Sequence, residues 1–133
     1  MDKEADDHPD GSESRKMCER WLEAWSGEDY RAVVDLLSDD ASYRDPVRNT
    51  GLRGKESIAE YLELLFVRNP GWRFTLIDCW DIDENTVVMK RRVRNIAGDR
   101  VFEDTGVEFL TFKNGLVWDV EMYYDRVGWK QAD

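Results

Sequence analysis

The segment best suited to chemistry is Tyr43-Arg44-Asp45-Pro46, which places a carboxylate in a short extended stretch between two helical patterns. A proline disfavours the helical conformation in the residue before it, so Asp45 is predicted to lie on a non-helical backbone. A carboxylate fixed beside Tyr43, facing tryptophan-bearing helices, is suited to proton transfer in a small pocket. The alternative is a structural aspartate that accepts hydrogen bonds from nearby backbone N–H groups and organises the turn at Pro46.

Histidine chemistry has no candidate in the folded part of the chain. The single histidine, His8, lies in a charged segment broken by Pro9 and Gly11. This composition predicts a disordered acidic tail over residues 1–13 and one domain over residues 14–133. A Cys–His pair or a histidine-ligated metal is therefore not expected, and we predict no metal and no cofactor. Acid–base work is left to carboxylates, supported by Tyr, Arg or Lys.

The composition excludes several other classes of function. The 133 residues are 41% hydrophobic and include six Trp, five Tyr and five Phe, enough for a core and a ligand pocket. The net charge of −10 argues against binding to nucleic acid or an anionic membrane. No apolar run approaches the roughly 18 residues of a membrane span, no signal peptide is apparent, and we expect a cytoplasmic protein. Cys18 and Cys79 are too few for a disulfide framework.

The periodicity of apolar residues predicts helices first and strands afterwards. The predicted helices cover about 15–27, with Ser14 as N-cap, then 29–37 and 55–67, and a short strand lies at 41–46. The apolar face of the helix at 55–67 consists of Ile58, Tyr61, Leu62, Leu65 and Phe66. From Trp72 the period becomes two, which predicts strands at 72–81, 86–96, 100–112 and 116–125. Asn114-Gly115 is typical of a type I′ hairpin turn. This order indicates an α+β domain whose helices cover one face of an antiparallel sheet.

Alternation also sorts the side chains between the two faces of the sheet. In the strand 86–96, the odd row is Val87, Met89, Arg91, Val93 and Asn95, with Arg91 in the middle of an otherwise mostly apolar row. The even row is basic at Lys90, Arg92 and Arg94. In the last strand, the even positions carry Leu116, Trp118, Val120, Met122 and Tyr124. Both rows of the strand 100–112 are half apolar, so periodicity does not choose its inner face.

The element order, the Tyr-x-Asp-Pro strand, the Gly51-Leu-Arg-Gly-Lys-Glu-Ser-Ile58 helix start and the final Tyr-Tyr-Asp carry a family resemblance. From Cys18 to Asp125 the chain resembles the nuclear transport factor 2-like superfamily, and within it the ketosteroid isomerase and SnoaL-like branch. This resemblance implies a cone-shaped α+β fold of the cystatin-like roll type, with N-terminal helices packed on a strongly curved antiparallel sheet. A conical pocket between the helices and the sheet, and a homodimer formed through the outer sheet face, are implied with it.

The resemblance also implies roles for individual residues. Asp45 corresponds to the general base of the isomerases, and Glu108 to their protonated carboxylic acid, which donates a hydrogen bond to the dienolate oxygen. This assignment points the row of Gly106, Glu108 and Leu110 inward. Trp21 corresponds to the tyrosine of the isomerase oxyanion hole.

Three positions depart from the family pattern. Trp21 donates only through its indole Nε1, and loss of one oxyanion donor commonly costs ~10²–10³ in rate, so 3-oxo-steroid isomerisation is not expected. Arg91 on the pocket face would keep Glu108 ionised and unable to donate. The acid–base aspartate of the SnoaL-type polyketide cyclases corresponds to Met122.

Together these observations predict a cofactor-independent enzyme that transfers a proton on a small, apolar, carbonyl-bearing molecule. Asp45 would be the general base, while Glu108, with Arg91 or Tyr43, would stabilise developing negative charge. The predicted pocket wall consists of Trp21, Trp25, Met89, Val93, Trp118, Val120, Met122 and Tyr124. The alternatives are a non-catalytic binder of small hydrophobic ligands, a protein-interaction module, or a cyclase-like or epoxide hydrolase-like member. The Asp-Arg-Asp arrangement of those hydrolases is not matched, because position 93 is Val.

Overall fold

The computed structural model describes residues 13–125, so the predicted acidic tail with His8 lies outside the described residues, apart from Glu13. The described elements are helices α1 (Glu13–Ser26), α2 (Arg31–Val34) and α3 (Lys55–Arg68), and strands β1 (Leu37–Arg44), β2 (Leu52–Arg53), β3 (Arg73–Asp81), β4 (Thr86–Ala97), β5 (Arg100–Lys113) and β6 (Leu116–Tyr123). None of the helices in this part of the chain is long and apolar enough to cross a membrane.

Helices α1 and α3 follow their predicted patterns. In α1 the buried positions recur at helical spacing, and they are Cys18, Trp21, Leu22 and Trp25. Ser14 does not cap this helix, because the helix begins one residue earlier and the Ser14 Oγ donates to Asp81 Oδ1 at 2.5 Å. Cys18 and Cys79 are both buried free thiols, and burial raises the pKa of each.

The second predicted helix is much shorter than its sequence pattern indicates. Only Arg31–Val34 is helical, and β1 already begins at Leu37. The Val117 N–H donates to the Leu36 carbonyl at 2.8 Å, and Leu37 pairs with Val117. Leu37 therefore lies in the sheet because it pairs with β6, a strand that is distant in the sequence. This tertiary pairing overrides the local helical periodicity.

The six strands form one curled sheet in the order β2-β1-β6-β5-β4-β3. Strands β3 to β6 pair as the predicted antiparallel meander, and the β5–β6 turn has Asn114 at φ 54° and Gly115 at φ 81°, as a type I′ turn requires. The α+β class is confirmed. The sheet is mixed rather than wholly antiparallel, because β1 pairs with β6 in parallel.

A bulge at Trp118 makes the buried row of β6 differ from the even-numbered row that strict alternation predicts. Thr111 pairs with Asp119 and Phe112 pairs with Val117, so Trp118 has no partner in the register. The extra residue reverses the alternation, and Val117 is buried before the bulge while the even positions are buried after it. Leu116, predicted to face inward, is 38% exposed.

The inner rows of β4 and β5 agree with expectation. The odd positions of β4 are buried, including Met89, Arg91 and Val93. On β5 the buried row is the even one, with Gly106, Glu108 and Leu110, as the resemblance implies. The concave face of the sheet therefore carries two fully buried charges, Arg91 and Glu108, each 1% exposed.

Candidate active site

Asp45 follows directly after β1, and its Oδ1 organises the turn that comes next. This oxygen accepts the backbone N–H groups of Val47 at 2.8 Å and Arg48 at 2.7 Å. The residue is 3% exposed, so the carboxylate exchanges solvent for these backbone donors. The structural role considered for Asp45 is therefore present, and it uses only one of the two carboxylate oxygens.

The other oxygen, Oδ2, is held by two phenols. Tyr43 Oη donates to it at 2.7 Å and Tyr61 Oη at 2.8 Å. Tyr43 is on β1, two residues before Asp45, whereas Tyr61 comes from α3. The sequence pattern placed Tyr61 only on the apolar face of its helix. Periodicity assigns a side chain to a face but does not show which group its hydroxyl binds, so this hydrogen bond was not predicted. With four donors, the carboxylate has no free acceptor position in this arrangement.

Both phenols remain protonated well into the alkaline range. Burial is the main cause that raises the pKa of Tyr43, and the neighbouring charge of Asp45 raises it further. The same two causes, in the same order, raise the pKa of Tyr61. The two side chains differ in their freedom, since Tyr43 is 2% exposed and also contacts Met122 Sδ at 3.7 Å, while Tyr61 is half-buried.

The second buried carboxylate, Glu108, is bound by two donors from other elements. Trp21 Nε1 donates to Oε1 at 2.8 Å, and Arg91 Nε donates to Oε2 at 2.8 Å. Both donors always donate, so Glu108 acts as an acceptor through both oxygens. In this arrangement Glu108 accepts hydrogen bonds from the protein, whereas the resemblance implies an acid that donates one.

The absence of a side chain at Gly106 makes room for Arg91. A Cβ at position 106 would lie 2.6 Å from Arg91 Nη1 and 2.8 Å from Cζ, so the guanidinium rests directly on the β5 backbone. Its Cζ lies 5.3 Å from the ring centroid of Phe74 and 5.6 Å from that of Tyr124. Arg91 Nη1 is buried and finds no hydrogen-bond partner among the described residues.

Tyr124 connects the two carboxylate clusters. Its ring stacks on the Arg91 guanidinium, and its phenol contributes electrostatically to the raised pKa of both Tyr43 and Tyr61. A cavity of about 390 Å³ opens beside it. The residues lining this cavity are Arg44, Asp45, Pro46, Asn49, Glu121, Met122, Tyr123 and Tyr124. Its volume is at the lower end of the range for small-molecule sites.

The eight residues of the predicted pocket wall lie in several places, and one of them, Trp21, donates to Glu108 Oε1. Met122 and Tyr124 line the cavity beside Asp45, while Met89, Val93 and Val120 are buried in the core. Trp25 belongs to an aromatic cluster with Phe66, Trp72 and Phe74, at centroid distances of 5.7–5.8 Å. Trp118 does not join the others, because the bulge turns it toward Lys113, whose Nζ lies 5.4 Å from its ring centroid. Among residues 13–125, no group of three or more His, Cys, Asp or Glu side chains is placed to hold a metal ion.

Residues 18–120 match the family described as the SnoaL-like domain. The chain belongs to this family. The match includes Asp45, Tyr61, Arg91 and Glu108, whereas Tyr124 lies just beyond its end. No functionally curated protein matches the sequence.

Solved structures similar to this SnoaL-like domain share its fold at low sequence identity. One is a hypothetical protein with a ketosteroid isomerase-like fold from Catenulispora acidiphila, in complex with trimethylamine, at 18% identity and a TM-score of 0.73, covering 81% of this chain and 84% of that one. Another is TerC, co-crystallised with polyporic acid, at 14% identity and a TM-score of 0.74, covering 88% of this chain and 95% of that one. An NTF2-like protein from Anabaena variabilis has 15% identity and a TM-score of 0.73, covering 84% of this chain and 86% of that one. These similarities show the fold, and the activity has to be argued from the site.

Proposed function

We propose that this SnoaL-like domain is a cofactor-independent acid–base enzyme that transfers a proton on a small, mostly apolar, carbonyl-bearing molecule, with Asp45 as the general base. The observation that carries the proposal is that Asp45 lines the 390 Å³ cavity while its Oδ2 is held only by side-chain hydroxyls. Backbone donors fix Oδ1, whereas a phenol can turn away from Oδ2 and free a lone pair. The carboxylate is thus positioned by one oxygen and available through the other.

In the proposed reaction, Asp45 Oδ2 takes a proton from the carbon next to the carbonyl group. The C–H electron pair forms the C=C bond of an enolate, and the carbonyl oxygen takes up the negative charge. The proton now on Asp45 can exchange with solvent, and its return to the same carbon then leaves a solvent hydrogen on the substrate. In a substrate whose enolate is conjugated with a C=C bond, return to the far carbon of that bond isomerises the substrate. Glu108 is an acceptor through both oxygens, so the enolate oxygen needs a hydrogen-bond donor other than Glu108.

Hydrogen–deuterium exchange tests this reaction directly. Wild type, Asp45→Asn and the control Asp39→Asn are incubated in D₂O with cyclohexanone and acetophenone, and deuterium uptake is followed by NMR. Asp39 is an exposed aspartate that lies outside the cavity wall. We expect Asp45→Asn to lower exchange at least 100-fold and Asp39→Asn to leave it unchanged. Equal exchange in all three proteins would exclude Asp45 as the base.

The second candidate is a non-catalytic binder of small hydrophobic ligands. The four hydrogen bonds on Asp45 favour it, because a carboxylate whose acceptor positions are all occupied is suited to a structural role. Thermal-shift measurements with the same ketones and with phenols separate the two candidates. A ligand at 100 times its Kd stabilises the fold by about 2.7 kcal/mol. Binding in wild type and Asp45→Asn without exchange in either supports the binder. Absence of both binding and exchange supports a protein-interaction module.

We also infer that a second copy of the chain packs on the outer face of the sheet. An apolar stripe crosses four strands there, formed by Trp80, Val88, Phe109 and Tyr123, with Trp80 and Tyr123 about half exposed. Basic residues of β4 lie on one side of the stripe and acidic residues of β6 on the other, so a two-fold contact can match opposite charges. Sedimentation equilibrium of wild type and Trp80→Glu tests this inference. A monomeric wild type contradicts it.

A further inference from the structure

We infer that Tyr61 is the hydrogen-bond donor to the substrate oxygen, which must then belong to a carbonyl whose α-carbon carries the transferred proton. This assignment rests on the proposed function, in which Asp45 is the base. It names a residue that the sequence pattern placed only in the apolar face of α3. It also restricts the substrate to a molecule that forms an enolate, or an analogue such as a phenolate, with its anionic oxygen beside Asp45.

The donors implied by the family resemblance are already engaged elsewhere. Trp21 donates its only side-chain N–H, at Nε1, to Glu108 Oε1 at 2.8 Å. Both oxygens of Glu108 are engaged as acceptors, one by Trp21 and the other by Arg91. Enolate formation still requires a donor, because a negative oxygen in a buried site is costly without one. The hydroxyls of Tyr43 and Tyr61 already donate to Asp45 Oδ2 and therefore lie next to the base.

Tyr61 differs from Tyr43 in its ability to leave Asp45. Tyr43 is 2% exposed, and its hydroxyl has a second contact with Met122 Sδ. Tyr61 is half-buried on α3, and the Cζ of the exposed residue Arg48 lies 5.6 Å from its ring centroid. Moving the Tyr61 hydroxyl from Oδ2 to a substrate oxygen therefore disturbs less packing than moving that of Tyr43.

The distance between the two groups fits the substrate that the proposal names. Tyr61 Oη lies 2.8 Å from Asp45 Oδ2, so the donor and the base are immediate neighbours. In a ketone or similar carbonyl compound, the α-hydrogen and the carbonyl oxygen are attached to adjacent carbons and approach such a pair side by side. When Tyr61 turns to the oxygen, one lone pair of Oδ2 becomes free for the α-proton. The raised pKa of Tyr61 keeps its hydroxyl protonated for this role at neutral pH.

The test compares Tyr61→Phe with the matched variant Tyr43→Phe, since each removes one hydroxyl from the same oxygen. Deuterium exchange into cyclohexanone gives kcat and KM. We expect Tyr61→Phe to lower kcat about 100- to 1,000-fold with little change in KM, the usual effect of losing an oxyanion donor. Tyr43→Phe should lower kcat less than tenfold. Equal losses in the two variants, or an unchanged kcat in Tyr61→Phe, would overturn the assignment.

A second readout does not depend on turnover. The pH at which bound 4-nitrophenol ionises is read from its visible absorbance, and a donor to the phenolate oxygen lowers that pH. Tyr61→Phe should raise the ionisation pH of the bound phenol by about two units, the equivalent of a 100-fold loss in preference for the anion, while Tyr43→Phe changes it by less than one. A structural role for Tyr61 predicts no such difference between the variants.

The outcomes also separate this inference from the proposed function. If Asp45→Asn abolishes exchange and Tyr61→Phe does not, only the Tyr61 assignment fails. If Asp45→Asn retains exchange, or wild type exchanges neither ketone and does not perturb 4-nitrophenol, the proposed proton transfer fails and the Tyr61 role fails with it.

Discussion

The two buried carboxylates of this domain are held in different ways. Asp45 is bound by four neutral donors, and three of them lie within three residues of it. Glu108 is bound by a cation and an indole that are 17 and 87 residues away in the sequence. A neutral donor can leave a carboxylate during a reaction at modest cost, whereas separating a buried ion pair leaves two uncompensated charges. Under the proposed function, this difference assigns Glu108 a structural role and allows Asp45 to exchange a phenol for the substrate.

The largest predicted effect comes from breaking the ion pair. Arg91→Met removes the guanidinium and leaves Glu108 buried without its cation, so we expect a loss of about 3–5 kcal/mol in the free energy of unfolding, measured with urea. Lys90→Met, at the neighbouring exposed position, is the control and should change stability by less than about 0.5 kcal/mol. Restoration of most of the loss in Arg91→Met combined with Glu108→Leu would confirm that the unpaired charge is the cause.

A smaller loss is expected at Asp45. Asp45→Ala removes the acceptor of two backbone N–H groups and two phenols, and we predict a cost of about 1–3 kcal/mol by the same urea measurement. Asp45→Asn keeps one acceptor oxygen for the turn and should lie at the lower end of that range. A loss at Asp45 as large as that of Arg91→Met would contradict the contrast between neutral and charged donors.

Alkaline pH extends the comparison, because two phenols donate to Asp45, whereas an indole and a guanidinium donate to Glu108. Below their ordinary pKa of 10.0, Tyr43 and Tyr61 are neutral in both the folded and unfolded chains and contribute no pH dependence. Above it, the unfolded chain releases protons that the folded chain retains, so stability falls by about 1.4 kcal/mol per pH unit for each phenol. Urea unfolding at several pH values above 10 measures this slope. The slope should be smaller by about 1.4 kcal/mol per pH unit in Tyr43→Phe, and by twice that amount in the variant that combines Tyr43→Phe with Tyr61→Phe. An unchanged slope in the double variant would contradict the raised pKa values.

The smallest effect is expected for a carboxylate at the surface. Arg44 Nη2 lies 2.6 Å from Glu121 Oε2, but the side chains are 51% and 27% exposed. Water and salt screen such a pair, so Arg44→Ala should cost less than about 1 kcal/mol and its effect should shrink further at high salt. A loss comparable with that of Arg91→Met would show that burial is not what distinguishes the two ion pairs.

Several parts of the fold and the site could be read from the sequence because their causes are local. The type I′ turn at Asn114-Gly115 follows from two residues that tolerate positive φ. The inward row of β4 follows from strict alternation, and that row includes the exceptional Arg91. The neighbours of Asp45 on β1 and in the turn lie within three residues of it, so its placement beside Tyr43 was also within reach.

Other parts depended on contacts that no local pattern contains. The helix predicted over 29–37 is cut short because Leu37 pairs with Val117, and the parallel β1–β6 pairing has no signature in either strand. The bulge at Trp118 reversed one face of β6 and removed that tryptophan from the predicted pocket wall. Tyr61 was read as a core residue until α3 brought its hydroxyl to Asp45.

By itself, then, the sequence determined the α+β class, most element positions and the inward row of β4 with Arg91, while the family resemblance in the sequence supplied the inward row of Glu108. Backbone propensity and side-chain periodicity are properties of neighbouring residues, and they predict a residue's face only where one row of a strand is clearly apolar and no bulge interrupts the alternation. The tertiary structure alone decided what each polar group meets: two phenols for Asp45, and a cation with an indole for Glu108. Hydrogen-bond partners at buried sites are chosen by packing between distant elements, because every buried polar group must find its donor or acceptor wherever the fold places one.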